Sequence, residues 1–160
     1  LSAENDIKTL LILCFGNELY TKTNNSVPIT DEELEAFGKF CYNLVKDTKG
    51  RVFAFEYWNE FDHHTVGVDY KYYAPLAKTT YENIKKGNPQ ARAVGITAAG
   101  TGLSLIKTAF DMGAYSHMED VSYHLYPAGS PEKAKVGDEG LFLDSSVIPR
   151  PDHKLWQSIL

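Results

Sequence analysis

Four times along the chain, an apolar run rich in β-branched or aromatic residues gives way to a polar loop, and each of the first three is followed by a stretch of helical period. That alternation is the strongest constraint in the sequence. Strands and helices taking turns at this spacing imply a parallel sheet with crossover helices, because parallel neighbours cannot be joined by tight hairpins. The strands are expected at 7–17 ("IKTLLILCFGN"), 52–59, 91–100 ("ARAVGITAAG") and 119–127 ("EDVSYHLYP"). Their near-continuous apolar character suits strands buried on both faces.

The helices between them carry their own signals. Thr30 is a good N-cap with Glu33 three residues on, the spacing of a capping box. Leu34, Phe37, Phe40, Cys41, Leu44 and Val45 then recur at threes and fours, and Gly50 marks the stop. Further helices are expected over 71–86, closed by "GNP", and over 103–115. After Pro127 the chain turns irregular, and "PDHKLWQSIL" reads as a helix just beginning.

Two α/β architectures satisfy this order: an open doubly wound sheet, or part of a (β/α)8 barrel. The first strand is followed by "FGNELY", which is not a GxGxxG loop, so a dinucleotide-binding fold loses its main support. Composition narrows the function further. A net charge of -5 disfavours nucleic acid and anionic membrane surfaces as partners, and no apolar run approaches the roughly 18 residues of a membrane span. Cys14 and Cys41 show no CxxC spacing and read as buried free thiols.

In either architecture ligands bind at the carboxyl ends of the strands. Polar side chains stand there each time: Asn17 after the first strand, Trp58-Asn59-Glu60 after the second, Thr97 near the end of the third, and His124 with Tyr126 in the fourth. A carboxyl at an apolar rim is partly desolvated, which favours its protonated form and suits Glu60 to general acid work. Asn59 offers an amide to a substrate hydroxyl, and Trp58 offers a ring face for stacking. His124 and Tyr126, two apart, share a strand face and suit hydrogen bonding to a substrate or a catalytic carboxylate. Glu56 has the strand parity of Glu60 and, buried, needs a cation, here expected from outside the chain. His63 and His64 are expected to rim the cleft, with Asp62 and Asp69 as solvated loop charges. Glu60, His63, His64 and His124 are residue types that ligate metals, but no HExxH is present and adjacent histidines diverge on extended chain.

"FEYWNEF" resembles the fourth strand of clan A retaining glycoside hydrolases, which are (β/α)8 barrels. "LLILCFGNELY" is similar to their third strand and "VSYHLYP" to their sixth. The resemblance implies that Glu60 is the acid/base, that Asn59 contacts the sugar 2-hydroxyl, and that His124 and Tyr126 line the site; Trp58, Asn17 and His63 are expected there from their places at or just past the strand ends. It implies no cofactor and no metal, and a β-linked oligosaccharide, polysaccharide or glycoside as partner. In such enzymes a second carboxylate, at the end of strand seven, attacks the anomeric carbon, with the pair ~5 to 5.5 Å apart. Glu139 in "VGDEGLF" follows Pro127 too closely to occupy a seventh strand. The expectation is therefore one domain, four βα units of a barrel that typically needs ~250 residues, inactive alone and complemented by the missing half. A non-catalytic carbohydrate-binding protein and a metal-dependent barrel isomerase, lyase or nuclease are the competing readings.

Overall fold

The computed structural model describes residues 2–23, 26–65, 68–99 and 102–124. The expectations placed on Tyr126, on Glu139 and on the stretch from 128 onward lie outside the described residues.

Among the described residues four strands form one sheet: β1 (Leu10–Leu13), β2 (Ala54–Tyr57), β3 (Arg92–Ala99) and β4 (Asp120–His124), in the order β1-β2-β3-β4 and parallel throughout. Helix α1 (Asp31–Asp47) connects β1 to β2. A short helix α2 (Phe61–His64) and the longer α3 (Tyr73–Gly87) connect β2 to β3, and α4 (Leu103–Asp111) connects β3 to β4. Chain order equals spatial order, as in a (β/α)8 barrel and unlike a doubly wound sheet, whose strand order reverses.

Local chemistry accounts for the elements. Thr30 caps α1 by accepting from the Glu33 N–H while the Glu33 carboxylate accepts from the Thr30 N–H, the reciprocal box expected from the sequence. The strands are shorter than the apolar runs, because ladder hydrogen bonds need a neighbour along the whole segment. β1, which pairs with β2 alone among the described residues, keeps only four residues of the eleven expected.

Residues opposite one another in a parallel register share a sheet face. Leu11 and Leu13 align with Phe55 and Tyr57, which are buried toward the helices; the Tyr57 hydroxyl donates to the His117 carbonyl at 2.9 Å. Leu10 and Ile12 align with Ala54 and Glu56 on the opposite face. There Glu56 is buried, whereas Leu10 and Ile12 remain 44% and 40% exposed. This second face is the one that a barrel turns inward.

β3 is bent where it matters. Ile96 and Thr97 both have positive φ (73° and 45°), rare for β-branched residues, and the register against β4 slips between Ile96 and Ala98. The bulge lets the Thr97 hydroxyl donate to the Tyr57 carbonyl at 3.0 Å, while the Tyr73 hydroxyl accepts from the Ile96 N–H. Three elements are thereby pinned at the carboxyl end of β2.

Candidate active site

Glu60 stands three residues beyond β2, where the chain leaves the sheet through two left-handed residues, Trp58 (φ 62°) and Glu60 itself (φ 43°). Each such conformation costs of order 1–3 kcal/mol and persists only where surrounding contacts enforce it. Those contacts are present. The Trp58 N–H donates to the Leu13 carbonyl at 3.0 Å, and the His63 N–H to the Glu60 carbonyl at 2.8 Å. Phe61, fully buried, packs edge-on against Tyr73 with ring centres 5.2 Å apart. The Asp62 carboxylate accepts from the Ala99 N–H at 2.8 Å, tying α2 to the end of β3. Asp62 is thus a brace for the turn, not the solvated charge expected. Gly102 makes room for this junction: a Cβ there would fall 2.2 Å from that of Ala98, at a φ of +47°.

The site centres on one imidazole. His124, the last residue of β4, has Nδ1 3.0 Å from Glu60 Oε1 and Nε2 2.9 Å from Glu56 Oε1. Both carboxylates are buried, with side chains 9% and 5% exposed, and the imidazole is 19% exposed. Burial alone would push His124 toward its neutral form. The hydrogen bonds to Glu60 and Glu56, together with their negative charges, outweigh it, and its pKa lies above the ordinary histidine value.

Glu60 and His124, both expected at the site, come together. Asn59 is half-buried beside Glu60, and its side chain makes no hydrogen bond among the described residues. At Trp58 the structure departs from expectation. Trp58 is 1% exposed, its ring enclosed by Phe15 (5.7 Å) and Phe37 (6.0 Å), so the stacking face expected of it is covered by protein. Asn17 is exposed and its side-chain oxygen caps the turn after β1 by accepting from the Leu19 N–H at 2.9 Å. His63 is exposed on α2. Glu56 does have a partner, the His124 imidazole, and that partner lies within the chain. Sequence parity had aligned Glu56 with Glu60 without revealing that one histidine links them. No group of three or more His, Cys, Asp or Glu among the described residues is arranged to hold a metal ion.

Comparison with known proteins bears on this geometry. No protein-family model matches the sequence, and no curated protein matches it. Among solved structures, the chain is similar to a family 39 glycoside hydrolase from the gut symbiont Bacteroides cellulosilyticus WH2. The identity is 25% and the TM-score 0.66, over 77% of this chain and 26% of that one. The chain therefore spans about a quarter of that neighbour. With four parallel strands in sequential order, its fold is that of a partial (β/α)8 barrel of glycoside hydrolase type.

Proposed function

We propose that the chain is the segment of a clan A retaining β-glycoside hydrolase that spans strands three to six, with Glu60 as its acid/base. The observation that carries this is the Glu56–His124–Glu60 arrangement at the carboxyl ends of β2 and β4. Two buried carboxylates bridged by one histidine, at the end of the sheet where ligands bind, form the kind of desolvated titratable cluster that gathers at catalytic sites. A binding-only protein needs no such cluster at its ligand end.

In double displacement the first carboxylate attacks the anomeric carbon while the acid/base protonates the departing oxygen; the acid/base then removes a proton from the water that releases the sugar. Glu60 is held rigidly for both steps by the braced turn, with Asn59 beside it to contact the sugar 2-hydroxyl. Glu56 is engaged with His124, so the attacking carboxylate is assigned to the barrel strand that completes the site. A β-linked glycoside or glycan is the substrate class.

The test is made in a longer chain that carries this segment within a closed barrel. Glu60→Gln is expected to lower kcat/KM on aryl β-glycosides with poor leaving groups by ~10²- to 10⁴-fold, the usual contribution of general acid catalysis. Substrates whose leaving group needs no proton should lose far less in the glycosylation step. Equal losses for both kinds would remove Glu60 from the acid/base role. The 160-residue chain alone is expected to show no hydrolysis; a rate that vanishes in Glu60→Gln would overturn that.

A further inference from the structure

We propose that Glu56, buried behind the imidazole, makes Glu56, His124 and Glu60 a single proton-sharing unit, in which Glu56 positions and charges His124 and thereby reloads Glu60 with its proton. This rests on the reading of Glu60 as the acid/base. Two short contacts join the unit, one to each ring nitrogen, and each needs a proton between its heavy atoms. Two arrangements satisfy both. In one, the imidazole is protonated on both nitrogens and both carboxylates are ionised. In the other, the imidazole is neutral and one carboxyl is protonated toward it. Each holds the same two shared protons and the same net charge of minus one, so moving between them requires no exchange with solvent.

The step that matters is a proton transfer. The Nδ1–H bond of His124 breaks, its electron pair stays on Nδ1, and an O–H bond forms at Glu60 Oε1. Glu60 becomes a neutral acid and His124 a neutral imidazole whose Nε2–H still donates to Glu56. When Glu60 has given its proton to a leaving group, the unit carries one proton fewer, and the proton taken from water in the second step restores it.

The surroundings of Glu56 leave His124 in charge of it. Just beyond β1 the Cys14 thiol, pushed up by burial and then by the Glu56 charge, stays neutral. From α3 the Tyr73 hydroxyl is likewise pushed up by burial and opposed by Glu56. The β3 residue beside Glu56 is Val94, and Asp120 on β4 is paired with Arg92 at 2.7 Å. The Arg92 charge is taken up by Asp120, and beside Glu56 itself His124 is the group that can bear a positive charge.

The experiment is nitrogen-15 NMR of the imidazoles in this chain, with His124 assigned by its absence in His124→Gln. Wild-type His124 should keep both nitrogens protonated above the ordinary histidine pKa of ~6.5. Glu56→Gln should lower the His124 midpoint by about one pH unit, as expected for loss of an adjacent opposite charge. A midpoint unmoved by Glu56→Gln would overturn the proposal. If that variant does not fold, the side-chain carboxyl carbon of Glu56 in the wild type decides instead: inflections shared with His124 support the unit, and independent ones sink it. These readouts need no hydrolysis, so they separate from the fate of Glu60 as acid/base.

Discussion

At His124 two opposing effects set a pH dependence for the fold itself. Burial disfavours the charged ring, and the contacts to Glu60 and Glu56 with their charges favour it more strongly. The native pKa is therefore above the unfolded value of ~6.5. Such a group contributes stability that is fully present below the unfolded value and is lost as pH rises through the native one. The midpoint of urea unfolding should fall over that window, and His124→Gln should flatten the fall; an equal slope in both proteins would refute the assignment. At this scale Glu60 and His124 were legible because each polar residue ends an apolar run. Their connection through Glu56 was not. Strand parity would require a regular chain from 56 to 60, yet Trp58 and Glu60 are left-handed. The carboxylates meet at His124 because of the turn, not because of the pleat. Trp58 was misjudged for the same reason: the turn that presents Glu60 folds the indole into the core.

At the scale of elements, α1 was readable to its cap because a capping box is a local signal, complete within four residues. Helix α2 was not readable, since four residues carry no period and the Glu60 side chain at its N-cap turns to His124 instead of capping the helix. It is held by distant partners: Phe61 against Tyr73, and Asp62 on the Ala99 N–H. The second of these is the more exposed to test. Asp62→Ala removes a charged acceptor from a backbone donor at the end of β3, which should cost ~1.5–3 kcal/mol. It should lower the urea midpoint with little change in slope. Asp62→Asn, which keeps an acceptor oxygen, should lose less. If both variants lose equally, the carboxylate's charge and not its geometry holds the turn.

For the whole molecule, the register that buries Glu56 leaves the same sheet face open at β1. Leu10 and Ile12 lie on that face at 44% and 40% exposure, and β1 has β2 as its neighbour in the sheet. Among the described residues β1 is thus an edge strand, and an apolar edge is a template for pairing with another chain. Alternation of strands and helices made the parallel sheet predictable, but no local signal shows which apolar residues of a strand lack a covering layer. In solution the polypeptide should therefore self-associate as its concentration rises. Leu10→Lys places a charge on the open face without emptying a packed site. It should shift the sedimentation profile toward monomer while changing the thermal midpoint little, since exposed substitutions usually fall within ~0.5 kcal/mol. A wild type that stays monomeric across the same concentrations would show that this face is satisfied within the chain. A large loss of thermal stability in Leu10→Lys would show that Leu10 is packed in solution.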